Sequence, residues 1–204
     1  MIKRKCRDNI GMMKNIAITG GFASGKSFLL KVAKSLGYDI FSCDDYVGML
    51  YKDEKIQKII ESEIDGLAKF NKQDLAKIIY DDDNARKKLE NIVHPMVRAG
   101  IREFEQKNAD KEMIFTEVPL LFESGFDKYF AHNICVYCSD ATRYLRAKSR
   151  GYDDDKIIER INKIQLTSDE KRKMADFTID SEQSFGRMKS LLIGITSQIK
   201  NHRH

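Results

Sequence analysis

The chain has 204 residues, of which 42% are hydrophobic, a length that suits one domain with a sizeable core and room for an inserted subdomain. Its four cysteines, Cys6, Cys43, Cys135 and Cys138, follow no apolar leader, so no disulfides are expected to be needed for folding and a reducing cytoplasm is expected; no apolar run approaches the ~18 residues of a membrane span. The net charge of +5 is concentrated in residues 1–14, where Lys3, Arg4, Lys5, Arg7 and Lys14 face Asp8 alone, so this basic arm reads as a short solvated charge run and neither nucleic acid nor a membrane is expected as partner.

The first element expected is a strand over Asn15–Thr19, short, apolar and partly β-branched. Directly after it, Gly20–Ser27 reads G-G-F-A-S-G-K-S, a full match to G-x-x-x-x-G-K-[ST]. Glycines let main-chain N–H groups turn inward onto anionic oxygens, and the helix that follows directs its positive end at the same point. On this reading the backbone of Gly21, Ala23, Ser24, Gly25, Lys26, Ser27 and Phe28 binds nucleotide phosphates, Lys26 reaches the β and γ phosphates, and Ser27 ligates Mg²⁺. The alternative is a plain glycine turn. Phe28, Leu29, Val32, Ala33 and Leu36 form an apolar stripe at helical spacing, and Gly37 is placed to end the helix.

A second strand is expected over Asp39–Cys43, with Asp44 and Asp45 just past its carboxyl end. In an open α/β sheet that edge borders the ligand crevice. A carboxylate there can take a proton from an attacking hydroxyl or hold a metal; Asp44 is the candidate for chemistry and Asp45 for capping a helix that starts at Tyr46. A helical stretch follows from about residue 45 to 108, the natural place for a substrate-binding subdomain. Within it N-K-x-D at Asn71–Asp74 and D-x-x-G at Asp45–Gly48 resemble guanine-nucleotide motifs, but Asn71 is preceded by no strand pattern and is the expected cap of a helix. Leu89, Ile92, Val93, Met96, Val97, Ile101 and Phe104 keep one face apolar, and Pro95 predicts that one helix stops near His94 and another starts.

The third strand, Glu112–Val118, contains Glu117, either a carboxylate supporting Mg²⁺ through water or an ordinary surface acid at a strand exit. A fourth strand over Asn133–Cys138 carries Cys135 and Cys138, whose lone C-x-x-C inside a strand argues against a metal or redox site. A polar insertion, Ser139–Lys173, bears Arg143, Arg146 and Arg150 and reads as a mobile arginine-bearing flap, or else as a solvated hairpin. Phe177–Asp180 is the last strand. Strands alternating with helices predict an α/β fold with a mostly parallel sheet.

Several segments, from about Ile16 to Ile195, resemble dephospho-coenzyme A kinases: the phosphate loop, Asp44 after the second strand, L-E-N-I-V-H-P-M-V at Leu89–Val97, V-P-L-L-F-E at Val118–Glu123, R-I-N-K-I-Q at Arg160–Gln165 and E-K-R-K-M-A-D at Glu170–Asp176. The resemblance implies a P-loop NTPase-type three-layer fold, like the nucleoside monophosphate kinases. It has a five-stranded parallel sheet, a flap at about 139–173 and a helical substrate subdomain at about 45–108, within a kinase domain over 15–204. It implies transfer of the γ-phosphate of ATP, with Mg²⁺, to the ribose 3′-hydroxyl of dephospho-coenzyme A. Lys26 and Ser27 would serve the nucleotide and metal, Asp44 the hydroxyl, and Arg150 the transferring phosphoryl group, with His94, Pro95, Arg98 and Glu123 on the acceptor side.

Four residues depart from the family pattern. Ala23 replaces a glycine and is expected to keep a negative φ. Phe28 stands where Thr is usual, Glu117 where Asp is frequent, and Ser181 where Asn follows I-D near the expected adenine pocket. Another small-molecule kinase of the same core and a non-enzymatic nucleotide switch are the competing readings.

Overall fold

The structure, a computed structural model, describes residues 14–152 and 155–201, apart from the side chains of residues 155–158. Apart from Lys14, the basic arm lies outside the described residues. Five strands are present, β1 (Lys14–Thr19), β2 (Ile40–Ser42), β3 (Met113–Glu117), β4 (His132–Tyr137) and β5 (Phe177–Asp180), in the order β2-β3-β1-β4-β5. β1 pairs in parallel with β3 and β4, and β4 with β5. A parallel sheet is covered on both faces, so its central strands need apolar side chains in both directions. β1 and β3 meet that demand, with Ile16, Ala17, Ile18, Ile114 and Phe115 all fully buried.

The helices are α1 (Lys26–Ser35), α2 (Cys43–Leu50), α3 (Glu54–Glu63), α4 (Lys72–Asp81), α5 (Asp83–Lys107), α6 (Asp140–Ser149), α7 (Asp155–Ile164), α8 (Ser168–Met174) and α9 (Phe185–Asn201). Leu29, Val32 and Ala33 of α1 join Met188 and Leu192 of α9 in a core with Ile16, Ile18, Phe115, Ile134 and Val136 of the sheet. Gly37, at φ 86°, ends the α1 turn as expected, its N–H bonded to Lys34 O. After β1 the chain crosses to the β2 and β3 side, whereas β4 lies on the other flank of β1. The carboxyl end of β1 is therefore the switch point at which open α/β sheets hold ligands.

The chain divides into two compact units, one of residues up to Phe41 together with those from Glu105, the other of Ser42–Phe104. The second holds α2 to α4 and most of α5, with Ile56, Ile60, Ile64, Leu75, Leu89 and Val93 buried. Asn71 caps α4 as expected, accepting from the N–H groups of Gln73 and Asp74. Two sequence expectations fail here. α5 runs unbroken through Pro95. The proline forfeits one backbone hydrogen bond, but Leu89, Val93, Val97 and Ile101 bury a continuous stripe across the break point, and that burial outweighs the loss. Asp45 is not a cap either: α2 begins at Cys43, and Ser42 Oγ accepts from Asp45 N. Ser42, leaving the strand with extended backbone, has the geometry a cap needs, which places both aspartates inside the first turn. Gly100 of α5 has a packing reason, since a Cβ there would lie 2.5 Å from the Tyr46 ring.

Candidate active site

The phosphate loop leaves β1 at its carboxyl end and delivers the chain into α1. Gly20 and Gly25 have φ of 150° and 101°. A Cβ on Gly20 would fall 2.2 Å from Val136 O, and one on Gly25 2.8 Å from Ser181, so neither position admits a side chain. Gly25 occupies the cap position of α1 and supplies no side-chain acceptor, which leaves N–H groups of the first turn for an anion. Ala23 corrects the expectation of a negative φ: it is buried with φ 58°, the left-handed region that costs an L-residue about 1–2 kcal/mol. The loop shape is thus imposed by its surroundings. Lys26 is buried, and its Nζ donates to Gly20 O at 3.1 Å and Gly21 O at 3.0 Å, folded back over the loop it would neutralise against phosphate. Gly21, Ser24 and Gly25 are buried, Phe28 half-buried and Ser27 exposed.

Glu117 closes β3 opposite Ile18 of β1 and is 3% exposed, so the surface-acid alternative does not describe it. Ser27 and Glu117 are hard oxygen donors. They suit Mg²⁺, which retains waters and substrate phosphates and needs few protein ligands; among the described residues no cluster of three or more acidic, His or Cys side chains offers a dedicated metal cage. Cys43, Cys135 and Cys138 are buried. Cys138 lies one residue past β4, not inside it as expected, and burial pushes the Cys135 thiol up to about 11.

Arg150 ends α6, is exposed, and lines a cavity of about 460 Å³ with Gly25, Phe28, Arg146, Ser181 and Glu182. Arg146 is a residue to which sequence reasoning gave no role. Its Nη1 donates to Ser181 Oγ at 2.7 Å and Ser24 O at 3.3 Å, and Nη2 to Ser181 O at 3.0 Å. Ser181 Oγ in turn donates to Ser24 O at 2.6 Å, so the departure from Asn at this position forms part of the loop's support. The available signal was spacing: Arg143, Arg146 and Arg150 recur on one face of a helix.

Glu123 is tied into the protein. Its Oε1 accepts from Leu166 N at 2.8 Å and faces Lys171 Nζ at 2.9 Å. Asp44, His94, Pro95 and Arg98 all lie in the helical unit, Asp44 exposed in the first turn of α2 and the others on α5. Glu90, His94 and Arg98 follow at four-residue spacing along one face. Burial holds the His94 pKa below its ordinary value, Arg98 lowers it further and Glu90 opposes the shift.

The family profile described as dephospho-CoA kinase matches residues 14–186. The chain belongs to the dephospho-CoA kinase family. As a member it is an ATP-using kinase of coenzyme A biosynthesis. The dephospho-CoA kinase of Rickettsia typhi is 39% identical over 189 residues, covering 93% of this chain and 97% of that one. Among solved structures, a Thermus thermophilus protein superposes with TM-score 0.76 at 26% identity, over 91% of this chain and 97% of the other. The dephospho-CoA kinase from Campylobacter jejuni does so with TM-score 0.62 at 27% identity, over 95% and 100%. No helix among the described residues is long and apolar enough to cross a membrane.

Proposed function

We propose that the chain transfers the γ-phosphoryl group of ATP to the ribose 3′-hydroxyl of dephospho-CoA at the carboxyl end of β1. The observation that carries this reading is the phosphate loop itself. It has two glycines where a side chain would clash, an uncapped helix start, and Lys26 and Arg150 on the same compact unit. The loop residues Gly21, Ala23, Ser24, Gly25, Lys26, Ser27 and Phe28 hold the phosphates, the Ser24 and Phe28 N–H groups turning to them from Gly21 O and Gly25 O, and the cavity beside Phe28, Arg146, Ser181 and Glu182 takes the nucleoside. Ser27 would ligate Mg²⁺, with Glu117 supporting it through water, and the ion would supply neutralisation of charge on the nucleotide phosphates.

Asp44 aligns the acceptor hydroxyl and takes its proton, while Arg150 neutralises charge on the phosphoryl group in flight. His94, Pro95 and Arg98, from the helical unit acting as substrate subdomain, line the acceptor side together with Glu123. Residues 139–173 act as the flap of the kinase domain. The partners are small molecules, without nucleic acid or membrane, and the compartment is the cytoplasm.

The test offers ATP and Mg²⁺ with dephospho-CoA, AMP, CMP, shikimate, pantothenate or no acceptor, and follows ADP release. ADP is expected with dephospho-CoA alone, with the new phosphate on the 3′ oxygen by phosphorus NMR. In the same assay Asp44→Asn lowers turnover by about 10²- to 10⁴-fold with acceptor binding little changed. Strong activity on another acceptor, or GTP hydrolysis without one, would overturn the assignment.

A further inference from the structure

Phe22, at the tip of the phosphate loop, is held from three directions by the segment around α6 to α8. Its N–H donates to Gln165 Oε1 at 3.0 Å, and its carbonyl accepts from Arg143 Nε at 3.1 Å. Its ring meets that of Tyr152 edge-on at 4.9 Å. The Arg143 guanidinium does more than hold the loop. It also donates to Asp140 Oδ1 at 3.0 Å, Asn162 Oδ1 at 2.7 Å and Ser168 Oγ at 3.4 Å, so one side chain joins α6, α7, the start of α8 and the phosphate loop. The neighbouring loop residue is equally enclosed: a Cβ on Gly21 would lie 3.3 Å from Ser168 Oγ and 3.5 Å from Arg143.

Two consequences follow from the chemistry. With its N–H given to Gln165, Phe22 has no main-chain donor left for phosphate, and with its carbonyl held by Arg143 its peptide is fixed on both sides; its part is to orient the neighbouring N–H groups. It also precedes Ala23, whose left-handed backbone is unfavourable by itself and needs its surroundings to hold it.

We propose that Phe22 is the point at which the flap grips the phosphate loop, with Arg143 and Gln165 as positioning residues that set the loop for ATP through its main chain. Both act on one peptide segment, so their effects are coupled. By linkage, nucleotide that tightens the loop also steadies the flap against Phe22. This rests on Gly20–Ser27 being the nucleotide site.

The experiment measures ATP dissociation constants by calorimetry, KM for each substrate, and thermal melting for the wild type, Gln165→Leu, Arg143→Met and the double variant. Each single variant is expected to weaken ATP binding by about tenfold, the effect of losing its hydrogen bond to the part-buried Phe22 main chain, and to raise KM for ATP while leaving KM for the acceptor unchanged. The double variant is expected to lose much less than the product of the two. Wild-type ATP affinity in both folded single variants, or losses that simply multiply, would overturn the proposal. Should these variants melt below the assay temperature, Tyr152→Trp supplies a second readout, because the sequence contains no other tryptophan. Its emission is expected to change on adding ATP, and an unchanged spectrum with ATP bound counts against the proposal. Lys26→Ala run alongside separates the two ideas: if it binds ATP as the wild type does, the phosphate-loop reading has failed and the grip with it; if it loses ATP while Gln165→Leu and Arg143→Met bind as the wild type does, the grip alone has failed.

Discussion

Lys171 Nζ stands 2.9 Å from Glu123 Oε1, and the lysine is fully buried. The same ammonium donates to Pro119 O at 2.7 Å, so α8 is fastened to the loop after β3 by a charge pair and a hydrogen bond together. Glu123 Oε2 is buried and has no hydrogen-bond partner among the described residues. Burial makes the pair's net worth small and the cost of breaking it large, because removing one partner strands the other charge. Lys171→Met is therefore expected to lower the free energy of unfolding by about 3–5 kcal/mol, and Lys171→Met with Glu123→Gln to recover much of it. Urea titrations of the wild type, Lys171→Met, Glu123→Gln and the double variant check this; a double variant as unstable as the sum of the singles refutes the coupling.

Ala23 holds φ 58° in a buried position. Ala23→Gly relieves the left-handed strain but gives the unfolded chain more freedom, and the first effect exceeds the second. A gain of up to about 1 kcal/mol in stability is expected, read as a higher melting temperature. A lower one shows that the loop does not keep this backbone in solution.

Lys26 and Arg150 differ in setting, one buried within the loop and the other exposed at the end of α6. Lys26→Ala is expected to cut turnover by about 10²- to 10³-fold with the circular dichroism spectrum preserved, since the task proposed for the side chain is charge on phosphate. Arg150→Ala should lower turnover with ATP affinity in the absence of acceptor nearly unchanged, because the role proposed for this exposed arginine is to act on the charge that develops during transfer. Loss of ATP affinity at constant turnover would make it a ground-state contact.

His94 is partly buried, and burial, the leading cause, sets its pKa below the ordinary value. The unfolded chain therefore binds a proton more readily than the folded one as pH falls through the ordinary range. The stability that neutral His94 contributes is full above that range and is lost as pH drops toward its folded value. Unfolding free energy followed between about pH 7.5 and 5 should fall more steeply for the wild type than for His94→Gln. Parallel curves would show that the imidazole is solvated in the fold.

Local chemistry made the order of strands and helices, the phosphate loop, the Asn71 cap and the α1 stripe legible from residues alone, because each depends on neighbours a few positions apart. The family resemblance carried the rest of the functional reading, and the family profile agrees over residues 14–186. What the sequence could not decide were contests between a local rule and distant packing. Pro95 signals a break, but apolar burial along α5 carries the helix through it. Ala23 prefers negative φ, but its buried setting between β1 and α1 dictates otherwise. Arg146 and Ser181 are 35 positions apart and meet only because β4 and β5 pair in parallel, which brings α6 and the residue after β5 to the same edge of the phosphate loop. Residue type and spacing determined which chemistry this chain carries; the sheet order alone decided which side chains hold that chemistry in place, since burial and strand pairing act over separations that no local pattern records.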